Sequence, residues 1–263
     1  MRLIAFALSL CLVVACGDDS EPENTRDDAG SRDAAAAVDA SDEKADDGPV
    51  REVACTDQSV SDLMLFDKPA TGRVREENAP DGEFITAIDA TGGGLTPVES
   101  YVYARFTDTG LKKLNITDED AFESNEWHIA LRRYVIRLNS GVSGPGEVTA
   151  ARTAPMTKFD EVSQVADTLA FRTEEYFIGD NCEYVADTSG IGAPATALSS
   201  YWSYSSCVQM TKNVYVIALP DDKHVKLEVL SFYPVENQRT CDETGKVPMP
   251  SGGANFRLRW SFL

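Results

Sequence analysis

Apolar and polar residues alternate through much of the second half of the chain. Phe256, Leu258, Trp260 and Phe262 fall on one face of a strand, with Arg257 and Arg259 on the other. Residues 213–219 and 224–233 show two strong strand patterns joined by Pro220-Asp221-Asp222-Lys223. The stretch 126–141, EWHIALRRYVIRLNSG, reads as one long strand running into a turn at Gly141. Trp127, Ile129, Leu131, Arg133 and Val135 share one of its faces, and His128, Ala130, Arg132, Tyr134, Ile136 and Leu138 the other. Apolar groups on both faces suit a strand inside a sheet. Earlier, 63–66 and 84–88 are short strand-like runs separated by a polar connection at 67–83. Residues 101–106 and 111–116 form a hairpin across Asp108-Thr109-Gly110. Residues 159–165 predict a short helical turn, 170–186 extended pieces broken at Gly179-Asp180-Asn181, and 141–155 and 188–200 loops. Helical periodicity is nearly absent, so the predicted fold class is all-β, of mostly antiparallel sheets with a few short helical turns.

The N-terminus breaks this pattern. Arg2 precedes a short apolar core, Leu3 to Ala15, that ends at Cys16. The core is too short for a bilayer of roughly 30 Å and is an export signal. A Leu/Val-rich run, a small residue and Cys, followed at once by Gly17-Asp18-Asp19, resembles a bacterial lipoprotein signal, which implies lipid attachment at Cys16. Residues 17–50 hold twelve carboxylates against Arg26, Arg32 and Lys44, so −9 of the chain's net −19 lies there. With no aromatic residue to bury, this segment predicts a disordered acidic tether over 17–52, leaving one β domain over 53–263. Once Arg2 is counted, residues 51–263 keep a charge of −11, which disfavours nucleic acid and anionic membrane surfaces as partners.

Beyond the signal, Cys55, Cys182, Cys207 and Cys241 form an even set without a C-x-x-C pair, which in an exported chain points to two disulfides and not to a metal site. Of the three connectivities, the preferred one joins Cys182 to Cys207 as a local loop and Cys55 to Cys241 across the domain; the others stay open. No G-x-S-x-G, H-E-x-x-H, phosphate-binding loop or G-x-G-x-x-G occurs. Nothing here supports an enzyme, and no catalytic residue is assigned.

Taken in order, FITAIDA, YVYARFTDTG, WHIALRRYVIRLNSG, the Trp202/Tyr204 pair, NVYVIALPDDKHVKLEVLSFY and the alternating C-terminal strand resemble the HmuY-like haem-binding lipoproteins of Gram-negative bacteria, over roughly residues 84–263. The resemblance implies an HmuY-like antiparallel fold, lipid-anchored at the outer membrane on its surface or periplasmic face. It also implies haem as ligand and a TonB-dependent receptor as partner in iron acquisition.

The resemblance further places an axial iron ligand, a His, on the central strand just before an Arg-Tyr pair. That position is Arg132 here, and a guanidinium has no lone pair to give. The region matching the second ligand, 175–185, also lacks His, so a bis-His site is excluded. Arg132 could instead hold a haem propionate, or pair with a neighbouring carboxylate. Tyr134 could supply a tyrosinate, although it belongs to the family pattern even where His is the ligand, which favours packing. Met156 offers a thioether, against the commoner role of filling a gap. His128 lies about 13 Å from Arg132 along a strand and is more often a hydrogen-bonded sheet residue than a ligand. His224, after a turn, is expected at the surface. The predicted function is capture of haem or a related planar ligand with non-His or no iron ligation. The alternative is an HmuY-like scaffold that has lost haem and serves as a cell-envelope interaction protein.

Overall fold

The structure is a computed structural model that describes residues 50–263 apart from residue 95; the export signal, Cys16 and most of the acidic tether lie outside the described residues. Fourteen strands and two helices follow one another: α1 Thr56–Asp62, β1 Val74–Glu77, β2 Phe84–Asp89, β3 Val102–Thr107, β4 Gly110–Lys113, β5 Ile129–Arg132, β6 Val135–Leu138, β7 Thr149–Arg152, β8 Phe177–Ile178, β9 Glu183–Tyr184, β10 Trp202–Tyr204, β11 Val208–Met210, β12 Val214–Ala218, β13 His224–Ser231, α2 Val235–Thr244 and β14 Asn255–Phe262. The fold is all-β and antiparallel throughout. One sheet has the order β1-β2-β14-β13-β12-β7 and another β4-β3-β5-β6, with two small hairpins, β8-β9 and β10-β11, beside them.

The two large sheets bury their inner faces on each other. Period-two alternation supplies Ile88, Phe256, Leu258, Trp260, Leu227 and Ile217 from the first, and Val102, Ala104, Phe106, Ile129 and Leu131 from the second. Trp260 sits at the join. It stacks on Phe84 at 4.2 Å, meets Phe106 edge-on at 4.9 Å, and donates its indole N–H to Thr86 Oγ1 at 2.8 Å.

Several elements differ from the sequence reading. Residues 126–141 form a hairpin, β5-β6, with Arg133 at φ 53° in the turn. No Gly, Asn or Pro marks that turn, and its backbone is held from outside: Arg133 N–H donates to Ala90 O, and the Tyr201 hydroxyl to Tyr134 O, both at 2.8 Å. Residues 63–66 are not a strand; the Leu63 and Met64 carbonyls accept from a side chain instead of a sheet neighbour. The 67–83 connection contains edge strand β1, and the 141–155 loop contains β7. A ten-residue helix, α2, follows β13. The turn at 159–165 is a 3-10 helix over Phe159–Glu161, and β8-β9 straddles Gly179 as the pattern predicts.

The disulfides join Cys55 to Cys182 and Cys207 to Cys241, with Cα separations of 5.6 and 6.1 Å. The preferred pairing is therefore corrected. Cys55 precedes α1, which lies against the β8-β9 hairpin in a cluster with Leu63, Tyr176 and Phe177. Cys241, inside α2, faces β11, and its partner Cys207 immediately precedes that strand. Packing of two short elements, and not distance along the chain, sets the connectivity.

A candidate anion-binding cavity

The outer face of the six-stranded sheet is covered over only part of its width. Phe159 and Val162, with Val165, Leu169 and Phe171 beside them, pack on Val214 and Val216 of β12. Toward β1 the face is open, and a cavity of about 700 Å³ lies where Thr71–Arg75, the ends of β2 and β14, and Tyr233–Val235 meet. That volume is in the range of small-molecule sites.

Four cations line the cavity, Arg73, Arg75, Lys113 and Arg257, against two carboxylates, Glu77 and Asp89. Register explains their grouping. Ala87 pairs with Arg75 on one side and with Arg257 on the other, so two guanidiniums flank one small side chain on the outward face. Asp89 is engaged by Thr91, whose Oγ1 donates to it at 2.8 Å, and Lys113 Nζ donates to Ala70 O at 2.6 Å. Arg73 is exposed; its backbone carbonyl accepts from Asp89 N–H at 2.9 Å, and its side chain has no hydrogen-bond or ion-pair partner among the described residues. Tyr233 adds aromatic surface, while the Phe256 side chain turns into the core between the sheets. The Tyr233 hydroxyl accepts from Val208 N–H at 3.1 Å, and burial pushes its phenol up, which opposes a tyrosinate.

The sequence candidates are not gathered here. Arg132 is buried on the other sheet, where it packs under residues 63–66. Its Nη1 donates to Glu99 O at 3.1 Å and pairs with Asp118 Oδ2 at 3.2 Å; its Nη2 donates to Leu63 O and Met64 O. The guanidinium lies 4.1 Å from the Tyr101 ring centroid. Arg137 lies over the same ring at 4.1 Å and donates to the Tyr103 hydroxyl at 2.6 Å. Arg132 thus pairs with the Asp118 carboxylate and does not line the cavity.

His128 is buried, and its Nδ1 accepts from Phe106 N–H at 3.2 Å. Burial and Arg105 lower its pKa to about 4, so it is a neutral sheet residue at ordinary pH. Met156 is 94% exposed, after β7 at the sheet edge opposite β1; it fills no gap and does not line the cavity. Tyr134 does not share a face with Arg132, because it stands in the hairpin turn. Its ring is stacked between Trp202 at 5.5 Å and Phe232 at 5.1 Å, one residue from Tyr233. It is the one candidate beside the cavity, and it packs. His224 is half-buried against Phe171.

Sequence reasoning missed Arg73, Arg75, Lys113 and Tyr233. The R-V-R spacing at 73–75 was a signal, as was the Arg257/Arg259 pair noted on the polar face of the last strand.

The fold and the cavity define a two-sheet antiparallel β protein with an open, cation-rich recess. The family model for HmuY protein matches residues 98–244, more than half of the chain, and the chain belongs to the HmuY family. Among solved structures it is similar to a candidate HmuY-like haem-binding protein from Bacteroides vulgatus, at 15% identity and a TM-score of 0.45, covering 72% of this chain and 96% of that one. It is also similar to a candidate lipoprotein from Bacteroides fragilis, at 13% identity and a TM-score of 0.45, covering 71% and 92%. The apo HmuY analog of Tannerella forsythia follows at 14% identity and 0.37, covering 74% and 98%. Comparison with curated proteins gives no match.

Proposed function

We propose that this protein is a lipid-anchored extracytoplasmic binding protein that takes haem, or a related planar tetrapyrrole, in the cavity beside β1. The lining of that cavity carries the reading: four cations and the Tyr233 ring, with no His, Met or Cys. The ligand's carboxylates meet Arg73, Arg75 and Arg257, its plane lies against Tyr233, and the iron, if there is one, takes no imidazole or thioether from the cavity. Four cations against two carboxylates give the cavity a locally positive lining on a body of net −11, and attract an anionic ligand at short range. The lipobox ending in Cys16 and the acidic segment after it support attachment at the outer membrane, with hand-over to a TonB-dependent receptor.

Haemin and metal-free protoporphyrin, titrated into the mature protein, are expected to quench tryptophan fluorescence with dissociation constants within about threefold of each other, because the iron contributes little. The haemin Soret band is expected to lack the shift that strong axial ligation gives. Failure of either porphyrin to quench at micromolar concentration sinks the tetrapyrrole reading and leaves a scaffold that contacts other envelope components. Labelled palmitate entering the wild type and equally the Cys16→Ser variant would sink the anchor.

A further inference from the structure

We propose that Glu77 is a built-in stand-in for a ligand's acid group, which occupies the anion site between Arg75 and Arg257 and limits how tightly the cavity holds its ligand. The inference rests on the cavity being the binding site. Both Glu77 oxygens are engaged: Oε1 accepts from Arg75 Nη2 at 3.1 Å and Oε2 from Arg257 Nε at 2.9 Å. Arg75 and Arg257 occupy strand positions about 9–10 Å apart, two strand spacings across Ala87, and their side chains converge on one shared anion. Glu77 lies one step further along the same face of β1 and leans back over that pair, so the anion is supplied from within the chain.

An incoming carboxylate or phosphate must displace Glu77 or share the guanidiniums with it. Arg73, whose exposed side chain has no partner among the described residues, offers such a ligand its first ion pair. The stand-in side chain can leave readily, because Arg75 is 69% exposed and Arg257 and Glu77 are each about one-quarter exposed, so solvent screens their attraction. A site built this way discriminates by charge and still releases its ligand, which suits a protein that passes cargo on. The neighbouring Arg259 shows the contrast: it is closed by Glu83 and Asp160 and does not line the cavity.

The test compares the mature wild-type protein with Glu77→Gln and with Glu77→Ser, the second included because a glutamine amide oxygen can still bridge a guanidinium. Inorganic phosphate is the first probe, followed at the arginine Nε–H resonances. Removing the internal acid is expected to tighten phosphate at Arg257 by about three- to tenfold, and the gain is expected to fade as sodium chloride is raised toward about 0.5 M. Unchanged phosphate affinity in both variants, or a gain that salt does not reduce, overturns the role of Glu77. Porphyrins are the second probe. Phosphate tightening without any porphyrin binding keeps the stand-in and removes the tetrapyrrole; porphyrin binding that is equal in all three proteins, with phosphate unchanged, does the reverse.

Discussion

Arg132 shows how much one side chain's surroundings decide. Four hydrogen bonds and an aromatic face hold its guanidinium at 4% exposure, and Asp118, fully buried, answers its charge. Asp118 also accepts from Phe66 N–H, Tyr101 N–H and the Tyr103 hydroxyl, so the pair ties the 63–66 segment and the 114–118 turn to β3 and β5. Removing one partner of such a pair leaves the other charge buried without its counterpart. Arg132→Ala is therefore expected to lower unfolding stability by about 3–5 kcal/mol in urea titration while leaving porphyrin affinity of the folded protein unchanged. A loss of affinity with intact stability would show that Arg132 reaches the ligand after all. At this scale the sequence carried the choices but not the outcome. It showed that Arg132 cannot ligate iron and that an acid might pair it, and it offered the hydrogen-bonded sheet residue as the alternative for His128. Which acid, and on which face, depended on a turn at Arg133 that local chemistry does not announce.

The elements that were legible are those whose alternation is long and undisturbed: β2, β3, β12, β13 and β14 fall where period two puts them. The β5-β6 hairpin was not legible, because its turn residues, Arg133 and Tyr134, are not turn formers and the hydrogen bonds that fix it come from Ala90 and Tyr201, distant in sequence. Edge strand β1, Val-Arg-Glu-Glu, is too polar to read as a strand, and Glu76 turns inward to accept from Leu111 N–H and Thr86. Helix α2 escaped notice because few of its residues are apolar. It is held instead by Gln238, whose side-chain oxygen accepts from Phe232 and Tyr233 N–H and whose amide donates to Val208 O, and by the disulfide to Cys207. Chain-entropy arithmetic ranks the two disulfides: the Cys55–Cys182 link spans 127 residues and the Cys207–Cys241 link 34. Replacing the first pair by serine is expected to cost about 5 kcal/mol and the second about 4 kcal/mol. Only the second is expected to speed amide exchange in 235–244, the helix whose first residue, Val235, lines the cavity. Denaturation midpoints and exchange rates of the two double variants check the order, and equal exchange in α2 would show that Gln238 alone holds it.

Across the whole molecule, two buried groups titrate in opposite senses. His128 is held at about 4, below its ordinary 6.5, so the unfolded chain binds more protons than the folded one between those values and stability rises with pH there. Glu174 is the reverse. Burial drives its carboxyl from 4.5 to about 7, despite N–H groups of Ala197 and Leu138 at 2.9 Å, so the folded chain binds more protons between those values and stability falls as pH rises. Each shift corresponds to a few kcal/mol in order of magnitude, at about 1.4 kcal/mol per unit, and the windows overlap from 4.5 to 6.5. The two slopes oppose each other there, so the wild-type unfolding free energy is expected to rise less with pH across that interval than it does once Glu174 is removed. Glu174→Gln leaves His128 unopposed, and stability is expected to climb by up to about 1.4 kcal/mol per pH unit from 4.5 to 6.5. His128→Asn leaves Glu174 unopposed, and stability is expected to fall over the same interval. Urea midpoints at pH 4.5, 5.5 and 6.5 read both slopes; slopes of one sign in the two variants would mean that these buried groups do not control the response. Because neither residue lines the cavity, porphyrin affinity measured across that interval is expected to keep the same pH dependence in all three proteins, which separates what holds the fold from what holds the ligand.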